Sequence, residues 1–287
     1  MNFKKISELN NLLLFAPSSP YPVAAFRILF GLLILQNAIF VAPDLYYWYG
    51  YKGIVSEATI RVHDPFAAIN MLYFFPESDL WLTLVFSVYM LAALCLTFGY
   101  RSRLASILVW LGFVSLYHRN CFIENSGDTF IRAMAFWMIF APTGAAWSVD
   151  HIKRVKDHGF DYTELVPPWG MRCLQLQFCL VYYHAFVTKA PGWSWVYGTA
   201  VYLASRIEGL KRFPLIPSVE NIFIAQAITW MTLAIEASLF TLIWIKELRY
   251  YILGLAICMH LTIDWTMNIP QFEWIMISTM VLFVYPV

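Results

Sequence analysis

The feature that most constrains this chain is a succession of apolar stretches, each about as long as a bilayer is thick. A helix needs roughly 20 apolar residues to cross the hydrocarbon region of a membrane. Stretches of this kind lie at 22–42, 80–99, 103–119, 128–146, 172–189, 220–245, 250–266 and 271–287. We therefore predict an all-α integral membrane protein, a polytopic bundle of about eight transmembrane helices.

The composition agrees with a lipid environment. Hydrophobic residues make up 60% and charged residues 13% of the 287 positions, whereas soluble domains carry about 25% charged residues. The deficit of charge makes the lipid bilayer the main surroundings of the chain. The net charge of +1 provides no basic surface, so no nucleic-acid partner is expected. The five cysteines lie mostly inside apolar stretches, and we predict no disulfide framework.

The spacing of the apolar stretches indicates one domain. The longest connections, 43–79 and 190–219, are too short to fold independently, so residues 1–287 are predicted to form a single transmembrane domain. The polar start of the chain, residues 1–20, is predicted to be a cytoplasmic segment without a cleavable signal peptide. The apolar piece 66–76 is too short to span and is predicted to be an interfacial or re-entrant helix.

Basic residues predict the orientation in the membrane. Short basic connections remain on the cytoplasmic side, which suits a topology with both termini inside. The basic residues that this topology places inside are Lys4, Lys5, Arg101, Arg103, Lys153, Arg154, Lys156, Lys246 and Arg249. The outer connection 190–219 carries three basic residues against this rule, but long connections count for less.

The same topology brings unusual polar residues to the outer side. An ionisable group at the edge of an apolar span is a candidate site, so we expect one outward-facing cavity there. Its expected wall is formed by His118, Asn120, Asn125, Asp128, Arg132, His184, Lys189, Trp195, His260 and Asn268. No spacing typical of metal ligands is present, and no metal is predicted.

Each of these residues also has a structural interpretation. Lys189 can act as a catalytic base or can extend toward the interface from a helix end, and His184 can be its proton partner or a packing residue. Asp128 and Arg132 are four residues apart and are expected to form a structural ion pair. Alternatively, Asn125 begins a turn that caps a helix, with Asp128 beside the positive helix end.

Charged residues inside spans need partners. Arg27 and Glu236 are predicted to be structural intramembrane charges that pair either with each other or with backbone and water. His118 and Asn120 either line the cavity or cap the third helix. His260 and Asn268 are expected to lie together at the cavity.

Several short motifs follow one another in a recognisable order. They are Phe26-Arg-Ile-Leu-Phe-Gly31, Phe98-Gly-Tyr-Arg-Ser-Arg103, His118-Arg-Asn120 with Asn125-Ser-Gly-Asp128, Trp147-Ser-Val-Asp150, Gln177-Phe178 with Val187-Thr-Lys189 and Trp195-x-x-Gly198, and His260 with Met267-Asn268. In this order over residues 22–285, the chain resembles the HTTM (horizontally transferred transmembrane) domain family, which includes the vitamin K-dependent gamma-carboxylase.

The resemblance implies a function. In the carboxylase, a lysine in the stretch that matches 187–189 acts as base on reduced vitamin K, and Lys189 falls on that lysine. The resulting chemistry uses oxygen to remove a proton from a peptide glutamate, which then captures carbon dioxide. The implied cofactor here is reduced vitamin K or menaquinol, with O2 and CO2 as co-substrates. A neutral, buried amine would suit the role of base.

Two differences from the carboxylase bear on this function. The region 125–128 lacks the carboxylase's functional histidine, and the carboxylase's large extracytoplasmic C-terminal domain is expected to be missing. Other family members are bacterial membrane proteins that help to mature secreted peptide toxins. A non-catalytic membrane partner in maturation or export of a secreted peptide is therefore the alternative function. A transporter lacks support because no internal repeat is visible. The expected location is a bacterial plasma membrane.

Overall fold

The computed structural model describes residues 11, 14–64, 70–158, 164–213 and 220–285. Within those ranges the chain forms helices joined by turns and irregular segments, and it contains no β-strand. Two isolated antiparallel bridges join Ser18 to Val166 and Lys211 to Met267. The chain divides into two compact units, residues 1–174 with 284–287 and residues 175–283. The all-helical prediction is confirmed.

The helices follow the predicted apolar stretches closely. The first unit contains α1 (Tyr21–Val41), α2 (Leu45–Tyr49), α3 (Glu57–His63), α4 (Asp79–Phe98), α5 (Ser102–Tyr117), α6 (Ser126–Met138), α7 (Val149–His158) and the start of α8 (Trp169–Lys189). The second unit contains the rest of α8, α9 (Trp193–Val196), α10 (Ala200–Ala204), α11 (Ile222–Phe240), α12 (Lys246–Thr266) and α13 (Phe272–Thr279). Short 3-10 helices extend α11 at Leu242–Trp244 and α13 at Met280–Phe283.

Among the described residues, three helical segments are long and apolar enough to cross a membrane. They are Tyr21–Tyr49, which joins α1 and α2, Asp79–Phe98 and Ile222–Phe240, with Ser102–Tyr117 and Phe272–Phe283 as shorter apolar helices. The chain is therefore a helical membrane protein. The number of eight spans stays a prediction, because the other helices are shorter or more polar than a complete span requires.

The predicted span 128–146 is shorter than expected. Helix α6 ends at Met138, and the chain then turns through Pro142. Proline lacks the amide hydrogen that continues a helix, and Trp147 adopts a positive φ of 46°. This turn presents backbone carbonyls that no helix satisfies, and they require another donor.

Arg27 supplies that donor. Its guanidinium, fully buried on α1, donates to the carbonyl oxygens of Thr143 at 2.7 Å, Ala146 at 3.2 Å and Trp147 at 2.5 Å. Charge-assisted hydrogen bonds of this kind are stronger than neutral ones. Arg27 is thus a structural charge paired with backbone, which is the second of the two predicted alternatives, and it does not pair with Glu236.

The connection between α4 and α5 is held by Asp150. Its carboxylate accepts from the amides of Arg101 and Ser102, each at 2.8 Å. Burial raises the pKa of Asp150, but these hydrogen bonds outweigh it and lower the pKa below its usual value. Two of the motifs that carry the family resemblance, 98–103 and 147–150, therefore form one structural joint.

The structure describes residues 70–76 of the predicted piece 66–76. Residues 66–69 lie outside the described residues, and Met71–Phe74 forms a 3-10 helix that Asn70 caps through the amide of Leu72 at 2.9 Å. The predicted entry of this piece into the membrane stays a prediction.

Two glycines provide a matched test of the joint beside Arg27. Gly99 has a φ of +67°, and an added Cβ would lie 2.3 Å from the Cβ of Ser148 and 2.6 Å from the guanidinium of Arg27, whereas Gly254 on α12 has open space around it. We expect Gly99→Ala to destabilise the protein by at least about 1 kcal/mol, because both the conformation and the space reject alanine.

Gly254→Ala is the control, and it should be neutral or stabilising because alanine is the better helix residue. Thermal unfolding in detergent measures both variants. Equal unfolding temperatures for the two would contradict the proposed role of Gly99.

Candidate functional site

Lys189 and Glu236 form an ion pair in the second unit. The ammonium at the end of α8 donates to the Oε1 atom of Glu236 on α11. Only 5% of the Glu236 side chain is exposed, against 34% for Lys189. The carboxylate is therefore buried, while its partner still reaches the surroundings. Glu236 therefore pairs with Lys189 and not with Arg27.

Trp195 lies beside the same lysine. The Lys189 Nζ atom is 5.2 Å from the centre of a Trp195 ring, which is a cation–π distance. The carbonyl of Trp195 accepts from the indole of Trp230 on α11 at 3.1 Å. The prediction that placed Trp195 near Lys189 is consistent with this geometry, and the turn after α8 brings them together.

A second polar group connects three helices of this unit. Tyr182 on α8 lies 2.5 Å from the Nε2 atom of His260 on α12, measured from its hydroxyl oxygen. The Nδ1 atom of His260 in turn contacts the Oε2 atom of Glu273 on α13. Each residue is at most 3% exposed. The result is a buried Tyr182–His260–Glu273 chain of hydrogen bonds.

Tyr182 and Glu273 were not among the predicted site residues. Tyr182 precedes Lys189 by seven positions, so the two share one face of α8, and that spacing could have identified it. Gln175, another seven positions earlier, is buried on the same face. Glu273 follows the sequence Pro270-Gln271 in an otherwise apolar helix, and a lone acid there was a usable signal.

The two polar groups influence one another. Tyr182 interacts electrostatically with both Glu273 and Glu236, and Glu273 interacts with Lys189. One oxygen of each carboxylate, Oε2 of Glu236 and Oε1 of Glu273, is buried without a hydrogen-bond partner. Such oxygens can accept a proton or a ligand hydroxyl. The arrangement is therefore suited to proton transfer.

Two predicted cavity residues lie apart from these groups. His184 is exposed, and its position five residues before Lys189 places it well around the helix from the lysine. Asn268 is also exposed, and its amide donates to the carbonyl of Leu210 at 2.6 Å. The expectation that Asn268 lies with His260 is not met, because His260 points its ring nitrogens to Tyr182 and Glu273.

The remaining predicted residues lie in the first unit, where His118 and Asn120 hold the connection after α1. His118 contacts Asp64 through Nδ1 at 2.5 Å, and Asn120 donates to the carbonyl of Trp48 at 2.9 Å. Between them, the buried Arg119 donates to the carbonyl of Gly50 at 2.6 Å. This motif anchors residues 48–64, which is a structural role. A cavity shared with the second unit stays a prediction.

Asn125 and Asp128 form a capping box at the start of α6. The Asn125 side chain accepts from the amide of Gly127 at 2.6 Å, and Asp128 accepts from the amide of Asn125 at 2.9 Å. Arg132 lies 3.9 Å above the ring of Tyr117. Among the described ion pairs none joins Asp128 to Arg132, so the predicted pair is corrected in favour of the helix cap.

The described residues contain no group of three or more His, Cys, Asp or Glu side chains that could hold a metal ion.

The unequal exposure of Lys189 and Glu236 predicts unequal mutants. Lys189→Met strands a buried carboxylate and should cost about 3 kcal/mol of the free energy of unfolding. Glu236→Gln leaves a lysine that remains partly solvated, and should cost about 1 kcal/mol. Chemical denaturation in micelles measures both, with the exposed Lys246→Met as the control. A smaller loss for Lys189→Met than for Glu236→Gln would contradict the pairing.

Glu124, in the connection before α6, predicts a pH dependence. Burial raises its pKa to about 9, Asp128 adds to the rise, and both a hydrogen bond from Tyr117 and the charge of Arg132 oppose it. A raised carboxyl pKa means that the folded state holds a proton that the unfolded state has lost. Stability is therefore lost as the pH rises from about 4.5 to about 9.

Glu124→Gln should remove this loss. We expect the variant to unfold at a higher temperature than wild type at pH 8, and the advantage to vanish below about pH 4.5. The exposed Glu77→Gln is the control. An advantage that is the same at all pH values would show that ionisation of Glu124 is not its cause.

The chain is similar in sequence to known proteins. Sporulation-delaying protein SdpB of Bacillus subtilis (strain 168) is 24% identical over 274 residues, which cover 92% of this chain and 81% of SdpB. Uncharacterized protein YitO of the same organism is 24% identical over 199 residues, 66% of this chain and 62% of YitO. No solved structure gives a significant match. The HTTM domain model matches residues 15–287, and the chain therefore belongs to the HTTM domain family.

Proposed function

We propose that the chain is a membrane-embedded, carboxylase-like enzyme that modifies a peptide or small substrate on the outer face of the membrane. The observation that carries this proposal is the Lys189–Glu236 pair, whose Oε2 atom is buried and has no partner. A buried acceptor next to an ammonium can take a proton from a bound hydroxyl and pass it on. Family membership is the second support.

The pair, rather than the lysine alone, is the proposed base. A lysine that contacts a carboxylate keeps its proton, so Lys189 first acts as a donor and as a fixed positive charge. Glu236 then provides the atom that accepts the substrate proton, and Lys189 stabilises the anion that remains. Trp195, beside the ammonium, shields this position from water.

A reduced quinone such as reduced vitamin K or menaquinol is the proposed cofactor, and the second unit has features that suit one. An uncharged cavity of about 240 Å³ lies between α11 and α12, lined in part by Ile228, Met231, Ile235, Leu255 and Met259. An isoprenoid chain suits such walls, and the unpartnered Glu236 oxygen suits a quinol hydroxyl. When bound with O2, the quinol would supply the strong base, and CO2 would be the co-substrate.

The proposal includes a location and an orientation of the chain in the membrane. We place the chain in a bacterial plasma membrane with eight spans and with both termini in the cytoplasm. The distribution of basic residues supports this orientation. Under it, Lys189 and Trp195 are at the outer side, where a secreted peptide would be met.

The alternative function is a non-catalytic partner in maturation or export of a secreted peptide. Two observations favour it. Lys189 is held in an ion pair, which is a sufficient structural role, and SdpB is named for delaying sporulation, which is a regulatory effect rather than a reaction. In this role the fold would be needed and the charge of Lys189 would not.

Purified protein in lipid nanodiscs distinguishes the two functions. With reduced vitamin K or menaquinol, oxygen and labelled bicarbonate, we expect wild type to form quinone epoxide and Lys189→Ala to lower that rate by about 10²–10⁴-fold. Lys246→Ala should match wild type. Folded wild type that makes no epoxide would exclude the carboxylase-like reaction with these quinols and would favour the partner role.

A further inference from the structure

Around the Lys189–Glu236 pair and Glu273, the interior of the second unit holds more acidic than basic side chains. Glu236 and Glu273 are 4% and 1% exposed; Lys189 is paired with Glu236, and Glu273 is paired with His260. Arg249 is also buried, but it donates to the carbonyls of Ile243 and Trp244 and precedes His260 by eleven residues, roughly 16 Å along α12. With both carboxylates ionised, the site would carry an uncompensated negative charge.

A single additional proton removes that charge. An isolated buried charge is so unfavourable that a group neutralises instead. Lys189 is a third exposed, so the Lys189–Glu236 pair can remain ionic, whereas His260 and Glu273 are 3% and 1% exposed in their side chains. The drier pair is therefore where an additional proton removes the most unfavourable charge.

We infer that Glu273 holds a stored proton, and that the Tyr182–His260–Glu273 chain is the proton relay of the Lys189–Glu236 pair. The inference rests on the proposed function in that the relay serves its base. Tyr182, His260 and Glu273 are positioning and relay groups, since none is placed against a substrate. The inference is supported by the geometry, because His260 contacts both Tyr182 and Glu273 and the three residues lie on three different helices.

The transfer can be written with its protons balanced. When Glu236 accepts a substrate proton, Lys189 and Glu236 become ammonium and carboxylic acid. The proton then moves from Glu236 toward Tyr182, the member of the chain that interacts electrostatically with Glu236. Along the chain, each O–H or N–H bond breaks as the next one forms. In the resting state Glu273 holds the stored proton, so Glu273 first releases that proton to bulk water, and the proton from Glu236 then takes its place by way of Tyr182 and His260.

The groups that face His260 come from every helix around it. Helix α8 contributes Tyr182 and α13 contributes Glu273, and both contact the His260 ring. Lys189 interacts electrostatically with Glu273, and Glu236 with Tyr182. On the same helix as His260, Asp264 follows by one turn, is paired with Arg212 at 2.7 Å and also interacts electrostatically with Glu273.

Infrared spectroscopy of the full chain in nanodiscs tests the stored proton without turnover. Every infrared sample, the wild-type reference included, carries Glu124→Gln, because the pKa of Glu124 is raised to about 9 and its own protonated carboxyl would give a second band. The carbonyl stretch of a protonated carboxylic acid should be present at neutral pH and should shift in D2O. Glu273→Gln should abolish it, and the exposed Glu247→Gln should not. Glu273→Asp should shift the band without removing it, which identifies its source even where Glu273→Gln fails to fold.

Lys189→Met tests the charge balance between the pairs. Without the ammonium, both carboxylates need a proton, so the intensity of the band should increase about twofold, whereas Lys246→Met should leave it unchanged. A band that persists in folded Glu273→Gln, an absent band in wild type, or an unchanged band in Lys189→Met would overturn the inference.

The relay and the proposed function can fail separately. In preparations that form epoxide, Tyr182→Phe should lower kcat at least tenfold with KM unchanged, and should keep the infrared band, because it removes the path and not the proton. Unchanged kcat would overturn the relay. Wild type that forms no epoxide would remove the proposed reaction, while the infrared results would still decide where the proton is stored.

Discussion

A charge in the interior of a membrane protein must find a partner, because lipid offers none. That requirement accounts for most of the specific contacts in this chain. Arg27 takes the carbonyls of the turn after α6, Glu236 takes Lys189, and Glu273 takes His260. Apolar packing brings the helices together, but these polar contacts determine which residues face one another.

The partners also separate structural polar residues from candidate functional ones. Arg27, Arg119 and Asp150 donate to or accept from backbone groups in ways that join segments of the first unit. Lys189, Glu236 and the Tyr182–His260–Glu273 chain interact through side chains, and they leave buried carboxylate oxygens unsatisfied. Unsatisfied buried polar atoms are uncommon in folded proteins. They also occur in the first unit, at Arg27 Nε and Glu124 Oε2, but in the second group two such carboxylate oxygens belong to side chains that interact with one another.

Sequence reasoning located the helices well because apolar length is a local property. It also singled out Lys189, Trp195 and His260, which lie near the ends of apolar stretches and whose functional roles stay predictions. It could not identify the partner of Arg27 or Glu236, since such pairing depends on residues more than forty positions away. The two structural interpretations of Asp128, an ion pair and a helix cap, stayed open for a related reason: the sequence around Asp128 suits both, and only the path of the backbone distinguishes them.

The order of these partners along the chain has a consequence for synthesis. Hydroxyls such as Thr97, Ser106 and Thr229 donate to the carbonyl four residues earlier in their own helix, so they are satisfied as soon as that helix forms. Arg27 must instead wait until residues 143–147 have been made, whereas Glu236 emerges when Lys189 is already present. Arg27 on the first helix therefore needs protection during insertion. The sixth apolar stretch, by contrast, enters the membrane after Lys189, the counter-charge of Glu236, has been made.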